Sequence, residues 1–132
     1  MRRAALAVVI AVGAAGCRKQ EQRPPVEMVL WHEVGSWSGR GNFQSPNFTS
    51  DTGGFRVRWT TANETKPGAG TLKVLFRSGD SGRVIMDAVD ARGVGADTVE
   101  VGDNVRWYYL TIESANVDWT VSVDERLRGQ AR

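Results

Sequence analysis

The 132-residue chain has one cysteine, Cys17, and one histidine, His32. A single thiol cannot close an intrachain disulfide, so the fold must rest on its core. One Cys and one His also argue against a zinc centre built from those two residue types, and no metal or cofactor is expected. Helical patterning is missing too. From Val26 onward no stretch of ten or more residues places apolar side chains at i, i+3, i+4 and i+7. The apolar run Ala4–Ala15 holds 12 residues, short of the roughly 17–25 that a membrane-spanning helix needs. Nor is there an excess of one charge: 17 basic residues face 15 acidic ones. The length is that of one domain, which argues against a multidomain enzyme with its own cofactor domain.

What is present begins with order at the N-terminus. Arg2 and Arg3 precede the short apolar run, and the small residues Ala14, Ala15 and Gly16 lead directly into Cys17. A positive start, a short apolar stretch and small residues are the marks of a secretory signal peptide. The segment Ala14-Ala15-Gly16-Cys17 resembles the lipobox of bacterial lipoproteins, with Ala14 standing where Leu is commoner. That resemblance implies cleavage before Cys17, acylation of its thiol and a chain anchored to the cell membrane or outer membrane. The alternative is a plain signal peptide followed by a chance cysteine. Arg18–Pro25 offers no apolar side chain except its prolines and reads as an extended tether.

The remainder alternates with period two, the signature of half-buried strands. Phe55, Val57 and Trp59 alternate with Arg56 and Arg58. Leu72, Val74 and Phe76 follow the same rule, with Leu75 out of step. Tyr108, Leu110 and Ile112 alternate with Trp107, Tyr109 and Thr111, and Trp119, Val121 and Val123 with Thr120 and Ser122. Val84, Met86 and Ala88 are expected to share one face. Val99 and Val101 mark another strand, Val26–Val34 a first one, and Asn42–Phe48 a further one broken at Pro46. Gly-rich segments between them supply turn chemistry: Ser36–Gly41, Asp51–Gly54, Lys66–Gly70, Ser78–Gly82 and Gly102–Asn104. About eight short strands predict an all-β, antiparallel two-sheet β-sandwich of jelly-roll type. The strand Tyr108-Tyr109-Leu110-Thr111-Ile112 followed by Trp119-Thr120-Val121-Ser122-Val123 resembles the ending of small exported bacterial β-sandwich domains. That likeness implies a fold and carries no active site.

The expected organisation is a signal peptide over 1–16, a lipidated Cys17 with tether over 17–25, the sandwich over 26–125 and a basic tail over 126–132. Residues 26–125 hold nine basic and fourteen acidic residues, net −5, so the basic residues concentrate at the two ends.

Catalytic readings fare poorly. Gly79-Asp80-Ser81-Gly82 resembles the nucleophile loop of chymotrypsin-like proteases, yet Arg83 follows where Gly belongs and His32 is the only base. A hairpin turn between Arg77 and Val84 explains it. His32 reads as a solvated edge-strand residue. Asp80, Asp87, Asp90, Asp97 and Asp103 lack the spacing of a calcium loop. Gly93–Thr98 lacks a third glycine and a following helix, so it reads as a loop, not a dinucleotide site. The sequons at Asn47 and Asn63 are silent if the chain is bacterial.

The aromatics point elsewhere. With Tyr108 and Leu110 inward, Trp107 and Tyr109 face out, roughly 7 Å apart. Trp37, in a Gly/Ser segment, is expected to be exposed as well. Such rings suit stacking on sugars. The opposing reading is a structural cross-strand pair. The expectation is a non-catalytic binding or structural module of the cell envelope. Its partners would be the membrane, through the anchor, and a cell-wall glycan or envelope protein, with no nucleic acid. The alternatives are a small carboxylate-dependent hydrolase or an accessory subunit of an envelope complex.

Overall fold

A computed structural model describes residues 29–127. The expected signal peptide, Cys17, the expected tether and residues 128–132 lie outside the described residues. Nine strands account for the architecture: β1 (Leu30–Arg40), β2 (Phe43–Gln44), β3 (Phe48–Thr49), β4 (Gly54–Ala62), β5 (Thr71–Ser78), β6 (Val84–Arg92), β7 (Gly95–Gly102), β8 (Trp107–Ala115) and β9 (Asp118–Leu127). They form a four-stranded sheet in the order β1-β9-β4-β7. A five-stranded sheet runs β2-β8-β5-β6, with β3 also on β8. All pairings are antiparallel. The short strands β2 and β3 flank Pro46, which cannot donate to a ladder. Counted as one interrupted strand, they leave the eight-strand order of a jelly roll.

The two inner faces follow the alternation. Phe55, Val57, Val121 and Val123 from one sheet meet Leu72, Val74, Phe76, Leu110 and Ile112 from the other, all essentially without solvent contact. Each such side chain contributes about 1.5–3 kcal/mol relative to exposure. Phe48, Phe55, Phe76 and Tyr108 form an aromatic cluster. The Phe55 and Phe76 rings lie 4.9 Å apart, and Tyr108 meets Phe55 edge-on at 5.1 Å. The Tyr108 hydroxyl donates to the Asn104 carbonyl. This pins the β7–β8 connection and satisfies the one polar atom that the ring carries inward.

Four sequence expectations are corrected. Ser36–Gly41 is not a turn: through Arg40 it is the second half of β1, paired rung by rung with β9 from Ser36↔Ser122 to Arg40↔Asp118. Its glycines make room for rings. A Cβ on Gly35 would lie 2.6 Å from the Trp37 ring, and one on Gly39 3.2 Å from Trp119. Gly95–Thr98 is not a loop but the start of β7, paired with Trp59, Thr60 and Thr61 through Arg58. Val84, Met86 and Ala88 do not share a face. Register shifts opposite Val74/Leu75 and Phe76/Arg77 insert extra residues in β6, so Val84 is exposed while Ala88 and Val89 are both buried. Finally β9 continues past Glu125, with Arg126 opposite Trp31 and Leu127 opposite Leu30.

One end of the sandwich gathers the starts of β1, β4, β6 and β8 and the ends of β3, β5, β7 and β9. Contacts tie it together across both sheets. The Thr52 hydroxyl donates to the Arg126 carbonyl at 2.6 Å. Ser50 N donates to Arg106 O, Asp103 N to Gly53 O and Gly79 N to Trp107 O. The described chain enters at this end, at Val29.

Candidate functional site

Strand β8 is central, held by β2 and β3 on one side and β5 on the other. Side chains on its outer face therefore sit on a fixed backbone. Trp107 is 51% exposed there, and Tyr109 is half-buried beside it. Trp107 packs its stem on the β5–β6 turn: a Cβ on Gly79 would lie 2.7 Å from the Trp107 Cβ. Tyr109 lies opposite Arg77, and a Cβ on Gly82 would come 3.3 Å from the Tyr109 hydroxyl. Arg77 Nε donates to Thr111 Oγ1 and Nη1 to the Gly82 carbonyl, both at 2.9 Å. The guanidinium thus staples the Gly79–Arg83 loop beside the two rings. Thr49 stands opposite Trp107, and Gln44 opposite Thr111. The result is a platform with two aromatic rings and a polar border.

Trp37 does not join them. It belongs to β1 in the other sheet, opposite Val121, and packs half-buried against the core. Its ring centroid is 6.2 Å from that of Phe43. Turn-like composition made it look exposed, while the inward face of an edge strand decides its burial.

The outer face of the four-stranded sheet carries the charges. Asp124 sits between Arg56 and Arg58 and is only 3% exposed. Its Oδ2 accepts from Arg56 Nε and Arg58 Nε, each at 2.9 Å. The Arg56 guanidinium also lies 4.5 Å over the Trp31 ring. Burial pushes the Asp124 pKa up, but the hydrogen bonds from Arg58 and Arg56 outweigh it and hold the carboxyl below its ordinary value. At the far end, hydrogen bonds from Asn63 and Arg40 hold the exposed Asp118 low. Glu125 is buried and accepts from the Ser50 hydroxyl and from the backbone N–H of Asp51 and Thr52, which fixes the β3–β4 connection. These carboxylates are structural clasps. The alternation hid them, because it reports which face a residue takes and not which strand lies beside it.

A shallow depression of about 430 Å³ lies on this same outer face, lined by Arg58, Thr60, Thr98, Thr120 and Ser122 among others. His32 is exposed on β1. Among the described residues no group of three or more His, Cys, Asp or Glu is placed to hold a metal ion. Gly79–Arg83 is the hairpin turn that the spacing predicts, closed by Gly82 N donating to Ser78 O at 2.9 Å. The chain matches no protein-family profile, and no curated protein is detectably similar to it.

Proposed function

We propose that the protein is a non-catalytic module of the cell envelope, lipid-anchored through Cys17, that binds a cell-wall glycan on the Trp107–Tyr109 platform. The observation that carries this reading is the half-exposed Trp107 beside Tyr109 on a central, doubly paired strand. A large aromatic ring left in water on a rigid support is suited to stack on the apolar face of a sugar, with its N–H free to orient the ligand. Thr49, Gln44 and Thr111 offer hydroxyl and amide groups around it. The hydrolase reading calls for two carboxylates converging with raised pKa. The two whose pKa moves, Asp118 and Asp124, both move down and both serve ion pairs with arginine.

The anchor is tested by mass spectrometry of the membrane-extracted protein, which should begin at Cys17 and carry acyl mass. The platform is tested by titrating the protein with peptidoglycan fragments while following tryptophan emission. A saturable shift that disappears in Trp107→Ala supports it. A response unchanged by that substitution, or no response to any fragment, removes it.

A further inference from the structure

Seven large apolar side chains are conspicuously exposed among the described residues: Val29, Leu30, Val84, Val94, Val105, Trp107 and Leu127. Six of the seven stand at one end of the sandwich, although they come from the two ends of the described chain, from the starts of β6 and β8 and from the β7–β8 connection. Leu30 and Leu127 face each other across the first rung of β1 and β9. Val105, at 61% the most exposed of all, tips the β7–β8 connection. Val84 starts β6, and Trp107 stands at the rim between this end and the outer face. Only Val94 lies at the opposite end, in the β6–β7 turn. Scattered singly, exposed apolar residues need no explanation, but a concentration on one face marks an interaction surface.

We infer that this end of the sandwich rests on a lipid surface, with Val29, Leu30, Val84, Val105 and Leu127 dipping into the interfacial layer. The occupant is indicated by where the chain enters. Residue 29 arrives at this end, so the segment carrying the apolar run and Cys17 is attached here and not at the far end. The eleven residues between Cys17 and Val29 span at most about 40 Å, which holds this end within that distance of whatever Cys17 is fixed in. Apolar side chains at strand ends and on one connection, rimmed by a tryptophan, match the interfacial layer, where such groups bury without a spanning segment. Charge plays a small part. Arg83, Arg106 and Arg126 share the end with Asp51, Asp80 and Asp103, and Arg106 pairs with Asp103 at 3.2 Å. The contact is therefore apolar and largely insensitive to salt.

The inference rests on the lipid-anchor reading and is independent of the glycan platform, because Trp107 stays intact in its test. With Cys17 acylated, a cysteine introduced by Val105→Cys or Val94→Cys is the only free thiol. Each variant of the full chain is labelled with an environment-sensitive fluorophore in phosphatidylethanolamine/phosphatidylglycerol vesicles containing nitroxide-bearing acyl chains. The label from Val105→Cys should emit to the blue and be quenched at least about twofold more than that from Val94→Cys, as insertion by 5–10 Å requires. Equal quenching at the two positions overturns the inference. So does a label shielded from aqueous iodide yet untouched by lipid nitroxide, which assigns the end to residues 18–28 or to a second copy. If mass spectrometry finds Cys17 unmodified, the anchor reading fails separately. The same two labels, in a Cys17→Ser background with added vesicles, then decide the lipid contact.

Discussion

Arg58 grips Asp124 through both carboxylate oxygens, Nε to Oδ2 at 2.9 Å and Nη2 to Oδ1 at 3.1 Å. The pair crosses from β4 to β9 on the solvent side of the sheet, and Arg56, directly opposite Asp124 on β4, closes the carboxylate from its other side. Removing the carboxylate leaves two guanidinium groups side by side, with only the exposed Glu33, 3.4 Å from Arg58 Nη2, as a remaining acceptor. Because both arginines keep contact with water, the loss stays below that of a fully buried pair. Asp124→Ala is expected to lower unfolding free energy by about 1.5–3 kcal/mol, read as a shift in the denaturant midpoint. Asp124→Asn should fall short of wild type as well, since an amide cannot accept from both arginines on charged oxygens.

Acid should weaken the protein for the same reason. Asp118 and Asp124 have folded pKa values below the unfolded value. Their contribution is complete above the unfolded value of about 3.9 and disappears as pH falls through the lower folded values. Denaturation curves should therefore hold steady from neutral pH to about 5 and lose midpoint below about 4. In Asp124→Ala that acid slope should be visibly shallower.

The opposite sign applies to Tyr108. Burial raises the pKa of its phenol, with the nearby Asp103 adding to the effect. Its contribution is intact below the unfolded pKa of about 10 and declines as pH rises through the folded value. Tyr108→Phe removes the bond to the Asn104 carbonyl and should cost about 1–2 kcal/mol. It should also flatten the alkaline limb of the stability profile.

Gly53 has φ +76, and a Cβ there would fall on the Asp103 carbonyl, 1.9 Å from its oxygen. Neither the left-handed backbone nor the contact can relax without moving the β7–β8 connection. Gly53→Ala is expected to destabilise by about 3 kcal/mol. Gly68, also at positive φ but with open space around it, should lose only about 1 kcal/mol on the same change. Parallel thermal melts of the two variants make the comparison.

Trp107 and Trp119 separate surface from core. Trp119 is 2% exposed and its indole N–H donates to the Gly41 carbonyl at 2.9 Å. Trp119→Ala should cost about 3–5 kcal/mol. Trp107→Ala should change stability by less than about 1 kcal/mol, so any effect of it on ligand titration reports the platform and not unfolding.

Alternation along the chain was enough to place Phe55, Val57, Leu72, Val74, Tyr108, Leu110, Trp119 and Val121 on inner faces and to predict the two-sheet sandwich. Period-two order is local: each residue's face follows from its neighbours in sequence. The position of Trp107 and Tyr109 on an outer face was legible for that reason. The lone cysteine behind its small residues is likewise a local pattern, and it lies outside the described residues. Pairing is not local. Whether Ser36–Gly41 turns or extends depended on β9, some eighty residues away, offering rungs to pair with. The burial of Trp37 followed from that. The bulges in β6, the closing of two arginines over Asp124, and the meeting of Val29, Leu30, Val105 and Leu127 at one end depend on strands brought together by folding. Composition and spacing specify which face a side chain takes, and only the sheet order specifies what it meets there.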